Sequence, residues 1–158
     1  MMFLKSRAFV KDSEPEIDVL PERPISEHPN LVTARGLALI EARVRELEAE
    51  RSAARAANDS MALARVARDL RYFQSRRESA RLVAPPAHSQ QVRFGVRALL
   101  RLADGTERPF QLVGEDEADP NSGLISYVSP LAKSLMGKSV GEELAFGAQS
   151  AEIIALES

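Results

Sequence analysis

Apolar residues recur every three or four positions between Leu37 and Ala80, and every second position after Val96. The first spacing predicts helix and the second predicts strand. The first stretch has Leu37, Ile40, Val44, Leu47 and Ala54, with Arg51 in one slot. Thr33 stands ahead of it as a candidate N-cap. The next stretch has Leu63, Val66, Leu70, Phe73 and Ala80, with Arg77 in one slot. Both make a coiled-coil seam. Pairing Ala54 with Leu63, Leu47 with Leu70, Val44 with Phe73 and Leu37 with Ala80 keeps one antiparallel register. Its centre falls between Asn58 and Asp59, and Asn58-Asp59-Ser60 is good turn and capping chemistry. Arg51 is expected to face Val66 and Arg77 to face Ile40, stems packed and guanidinium groups snorkelling outward. Residues 33–83 are therefore expected to form an antiparallel helical hairpin.

Ala84-Pro-Pro-Ala87 is expected to stop the second helix and act as a stiff linker. Beyond it Val96, Ala98, Leu100 and Leu102 alternate with Arg97, Leu99 and Arg101. Ala103-Asp-Gly-Thr106 is a hairpin signal. Glu107 to Val113 is the return strand, with Pro109 expected at an edge or bulge. Leu124–Val128, Glu143–Phe146 and Ala151–Leu156 read as further strands, and about Pro130–Met136 as one short helix closed by Gly137. Residues 84–158 are expected to be a small antiparallel β domain with one helix, which makes the whole chain α+β.

Residues 1–32 hold Pro15, Pro21, Pro24 and Pro29 among acidic residues and are expected to be a disordered tail, with local docking of Ala8-Phe-Val10 or Val19-Leu20 as the alternative. The start has too short an apolar run for a signal peptide, and no stretch is long enough to span a membrane. Cysteine is absent, which removes disulfides, thiolate metal sites and thiol nucleophiles. A cytoplasmic protein with no membrane contact is expected. The net charge of −2 is divided. Residues 61–83 hold six Arg against Asp69 and Glu78, and residues 84–158 hold six Lys or Arg against ten Asp or Glu. A basic arm beside an acidic body suits a partner with patches of both signs. The overall acidity argues against nucleic acid as the main ligand, and no direct sequence-specific nucleic-acid binding is expected.

No catalytic constellation is present. His28 and His88 lie in Pro-rich segments without a second ligand nearby, so no metal is expected. Gly137-Lys-Ser lacks the glycine that a phosphate loop has five residues earlier. Glu115, Asp116, Glu117 and Asp119 do not have calcium-loop spacing and read as a solvated loop or a contact for a basic partner. No cofactor is expected.

The motifs fall as they do in the bacterial Gre family of transcription elongation factors, which the chain resembles over roughly 31–156. Those that carry the resemblance are Thr33-x-x-Gly36, Arg68-Asp-Leu-Arg-Tyr72, Phe94-Gly95, Asp104-Gly105, Leu112-Val-Gly-Glu-Asp-Glu-Ala-Asp119, Ile125-Ser126, Ser129-Pro-Leu-Ala132, Leu135, Gly137-Lys138 and Val140-Gly141. The resemblance implies an FKBP-like C-terminal domain that docks on the rim of the RNA polymerase secondary channel. It implies contacts through Asp116, Asp119, Ser129, Pro130 and Leu131, with core RNA polymerase as the partner of a monomer.

Three departures from the family stand out. Active Gre factors carry two carboxylates at the hairpin tip, in a motif of the type Gly-Asp-x-x-Glu-Asn-Ala-Glu/Asp-Tyr, and these help hold a catalytic magnesium of the polymerase. Here the tip reads Ala56-Ala-Asn-Asp-Ser-Met61, with Asp59 the only carboxylate. Each arm is also about ten residues shorter than the family's, roughly 15 Å of reach. Proteins of the Rnk type share such a short coiled coil. Val128 stands where the family places Asn or Asp. The expectation is a non-catalytic polymerase-binding regulator that does not stimulate transcript cleavage, with Asp59 as a helix cap. A working cleavage factor using Asp59 is one alternative. A prolyl isomerase, suggested by the FKBP-like fold alone, is the other, and fold does not confer activity.

Overall fold

A computed structural model describes residues 20–158. They divide into two compact units. One contains Ile40–Ser79 with the described residues up to Ser26, and the other contains Glu27–Leu39 with Ala80–Ser158.

The first unit is a helical hairpin. Helix α1 spans Ala34–Ala56 and α2 spans Ser60–Ser79. Val44, Leu47, Val66 and Leu70 are buried in one cluster, and Phe73 packs against it. Leu47, Leu70, Val44 and Phe73 therefore belong to one apolar cluster. Ile40 and Ala54 are also buried. Leu37 and Leu63 are half-buried. The arginines differ from expectation. Arg77 is exposed and Arg76 is buried instead, 1% accessible. Burial at the end of α2 thus falls one residue ahead of the expected position.

Glu22 and Arg23 contact α2. Glu22 accepts hydrogen bonds from Arg71 Nε and Nη2, at 3.0 and 2.6 Å. The Arg23 guanidinium sits 4.0 Å from the centre of the Tyr72 ring and reaches Asp69 at 3.4 Å. The expected tail of residues 1–32 is therefore not uniform. Residues 1–19 lie outside the described residues, whereas 20–32 include specific contacts: Arg71 pairs with Glu22, Arg23 lies on the Tyr72 ring, and Leu31–Val32 pairs as a strand.

The second unit opens with strand β1, Leu31–Val32, which pairs in parallel with β2, Arg81–Leu82. Arg81 N–H donates to Asn30 O and Val83 N–H to Val32 O, at 2.8 and 2.9 Å. These bonds show why the hairpin does not run over 33–83 as expected. Helix α2 ends at Ser79, ahead of Pro85 and Pro86, because the chain that follows pairs as a strand. Thr33 caps α1 in the expected way, its Oγ1 accepting from Gly36 N–H at 3.0 Å.

The rest of the unit is a five-stranded sheet in the order β5-β4-β3-β7-β6. The strands are β3 Arg97–Leu102, β4 Glu107–Val113, β5 Leu124–Ser126, β6 Glu143–Phe146 and β7 Gln149–Glu157. The fold is α+β, with one pairing that differs from the expected antiparallel sheet. Strands β4 and β5 run parallel, because two short 3₁₀ turns carry residues 114–123 back before β5 starts. Pro109 falls where β4 has passed the end of β5, so its missing N–H breaks no sheet bond. Short helix α3, Pro130–Leu135, buries Ala132 and Leu135 in a core with Val92, Leu100, Leu112, Phe110, Leu144 and Ile153.

Candidate functional site

The conspicuous surface feature of the second unit is the acidic segment between β4 and β5. It leaves β4 at Val113. Gly114 follows with ordinary extended backbone, but a Cβ there would lie 2.3 Å from Leu31 O. Only glycine lets the segment pass so close to β1. Glu115–Glu117 form a 3₁₀ turn, closed by Glu117 N–H to Gly114 O at 3.2 Å. Asp119 then bonds through both backbone groups to Leu124, at 2.7 and 3.1 Å. Its side-chain Oδ2 accepts from Ser122 Oγ at 2.8 Å. Gly123 turns the chain at φ +78°, lying against Pro109 O.

Within this acidic run the carboxylates have different environments. The Glu117 side chain is only 3% accessible. Its Oε1 accepts from Thr33 Oγ1 at 2.5 Å, and its Oε2 from Arg35 Nη1 at 3.0 Å. It lies beside the first turn of α1, where the helix dipole favours an anion. The solvated-loop reading missed Glu117. The Thr33-x-x-Gly36 motif was visible, but its partner lies 84 residues away. Asp116 is half-buried and Asp119 is exposed.

After β5, Tyr127 N–H donates to Val113 O, and the Tyr127 hydroxyl donates to Pro29 O at 2.5 Å. Its ring meets Phe94 edge-on at 5.7 Å. Ser129 is the N-cap of α3, with Oγ accepting from Ala132 N–H at 3.3 Å. Pro130 at the first helical position is exposed, and Leu131 packs on the core. The five residues of the expected docking set therefore border β5, at the edge of the sheet. Asp119 and Pro130 face solvent, while Ser129 and Leu131 also hold the local fold.

The hairpin tip is separate. Asn58 adopts φ +52°, and Asn58 N–H donates to Arg55 O at 3.1 Å. Asp59 caps α2, its Oδ1 accepting from Ala62 N–H at 3.0 Å. Asn58, Asp59 and Ser60 are all exposed. The carboxylate of Asp59 already has a structural partner in the helix backbone. Among the described residues no group of three or more His, Cys, Asp or Glu is placed to hold a metal ion. No helix among them is long and apolar enough to cross a membrane.

Residues 87–157 match the family model described as "Transcription elongation factor, GreA/GreB, C-term". The C-terminal domain is a GreA/GreB domain. Its matched residues take in the whole sheet, the acidic segment and α3 of this Gre domain. Transcription elongation factor GreA of Nautilia profundicola is 46% identical over 65 residues, 40% of this chain and 40% of that protein. GreA of Bacillus subtilis is 38% identical over 77 residues, 48% of this chain and 49% of that protein. The chain thus spans less than half the length of these curated relatives. Among solved structures, GreA factor homolog 1 (Gfh1) of Thermus thermophilus superposes with a TM-score of 0.41 at 17% identity, over 83% of this chain and 100% of that one.

Proposed function

We propose that this chain binds core RNA polymerase through its Gre C-terminal domain and regulates transcription at the secondary channel without stimulating transcript cleavage. The observation that carries the binding half is the match of residues 87–157, which spans the acidic segment and the Ser129-Pro130 turn on one sheet edge. An acidic rim with two solvent-facing anchors, Asp119 and Pro130, suits a basic partner surface. Its charge would act mainly on encounter rate and register.

Asp59 supports the second half. Metal-assisted cleavage needs oxygen ligands presented together on a rigid tip. Asp59 is the only carboxylate between Arg51 and Arg68, and one of its oxygens is engaged by Ala62 N–H. In this reading the hairpin occupies the channel as a monomeric, non-catalytic competitor in the cytoplasm. The isomerase alternative gains no support from the aromatic residues, since Phe94 packs on Tyr127 and Phe110 on Phe146, each pair 5.7 Å apart.

The test is a pull-down with core RNA polymerase followed by a cleavage assay on a stalled, backtracked complex. Binding without cleavage, and slower cleavage by an authentic Gre factor when this chain is in excess, is the expected result. Asp119→Lys should weaken binding, most strongly at low salt. Cleavage that disappears in Asp59→Ala would restore the active-factor reading, and no binding would remove both.

A further inference from the structure

We propose that Glu117 is a positioning residue: it ties the acidic segment to the first turn of α1 and so presents Asp116 and Asp119 for docking. The inference rests on the polymerase-binding reading for its purpose, and on geometry alone for the tether. The segment from Gly114 to Asp119 is held at three points. Its start is fixed by the approach of Gly114 to Leu31 O, and its end by the two bonds between Asp119 and Leu124. The middle depends on Glu117, whose carboxylate is received by Thr33 and Arg35.

The chemistry of Thr33 sets the direction. Its hydroxyl has one proton and two lone pairs; one lone pair accepts from Gly36 N–H as the cap of α1, and the Glu117 carboxylate beside it can only accept. The proton must therefore go to Glu117 Oε1, so one hydroxyl serves both the helix and the segment. Gly36 completes the seat. A Cβ at that position would lie 2.7 Å from Glu117 Oε1, so any larger residue displaces the carboxylate. Glu117 is thus withheld from a partner by burial, while its neighbours remain near the surface. Arg35 is 62% accessible and adds little beyond orientation.

The experiment compares full-length Glu117→Gln, Glu117→Ala and Thr33→Val with Thr33→Ser and Asp119→Asn. Amide hydrogen exchange over residues 114–119 is measured on the free protein, and affinity is measured on core polymerase. Glu117→Gln keeps the shape, so it guards against loss of folding in the alanine variant. The expected result is faster exchange in this segment for all three disrupting variants, with affinity reduced about tenfold, as loss of a charge-assisted bond would give. Thr33→Ser should restore both readouts. Asp119→Asn should lower affinity while leaving exchange unchanged, which separates contact from positioning. Unchanged exchange in Glu117→Gln, Glu117→Ala and Thr33→Val would overturn the tether. Faster exchange with full affinity would overturn its role in presentation. Failure of the parent chain to bind polymerase, with the exchange pattern as expected, would count against the docking reading alone.

Discussion

Replacing Leu70 with alanine tests the hairpin seam most directly. Leu70 is 2% accessible, and its cluster contains Val44 at 0%, Leu47 at 1% and Val66 at 5%. Truncation removes buried methyl groups and leaves a cavity, a loss of about 2–5 kcal/mol across known sites. A two-helix unit has no second layer behind the seam. Its arms can close partly over the gap, so the lower half of that range, roughly 2–3 kcal/mol, is expected. Urea unfolding followed by far-UV circular dichroism reads the change, because α1 and α2 are the long helices of the described chain. Met61, 67% accessible near the tip, supplies the control: Met61→Ala should cost less than about 0.5 kcal/mol. Combining Leu70→Ala with Leu47→Ala should give less than the sum of the two, since both shape one cavity. A Leu70→Ala loss below about 1 kcal/mol, or strict additivity with Leu47→Ala, would refute the seam.

Three further outcomes follow from local geometry. Asp59→Ala should lower stability by about 0.5–2 kcal/mol through loss of the α2 cap, yet leave any effect on transcription intact; thermal melts and a transcription assay check the two parts. Gly123→Ala should cost at least about 2 kcal/mol, because it combines a positive φ with a Cβ 2.4 Å from Pro109 O, and an unchanged melting temperature would contradict this. The Thr106 hydroxyl and N–H, 2.6 and 2.9 Å from Asp104 Oδ1, hold the Asp104 carboxyl below its usual range. Its contribution is therefore present at neutral pH and is lost as pH falls through that lowered pKa. An NMR titration should show the shift, and Thr106→Ala should move it back toward the ordinary value.

Much of the fold was legible because it is periodic. The seam residues Val44, Leu47, Val66 and Leu70 follow helical spacing, and Ala98, Leu100 and Leu102 follow strand spacing. The turn at Asp104-Gly105 and the cap at Asp59 were legible from local chemistry. Strands β1 and β2 were not, since two residues each cannot show a period, and Val32 and Leu82 carry no local sign that they neighbour one another. The parallel course of β5 depends on a ten-residue connection whose path no spacing encodes. The burial of Arg76 in place of Arg77 is a difference of one residue at a helix end, which no spacing resolves. At the candidate site, Asp116, Asp119, Ser129, Pro130 and Leu131 came from motif resemblance. Glu117 stood in the same motif, but burial distinguishes it from its neighbours, and burial came from a partner distant in sequence.

Strands β1 and β2 lie side by side within the sheet-bearing unit, so the chain on either side of the helical excursion is already joined there. In chain connectivity Ile40–Ser79 is an insertion into the sheet-bearing unit, between Leu39 and Ala80. Segments of this kind tolerate changes in length, because their ends are already joined and a longer excursion adds little closure entropy. Seven residues added to or removed from each arm would keep the seam in phase and change the hairpin's length by roughly 10 Å. Reach is therefore a quantity that can drift in sequence while every residue of the sheet stays as it is.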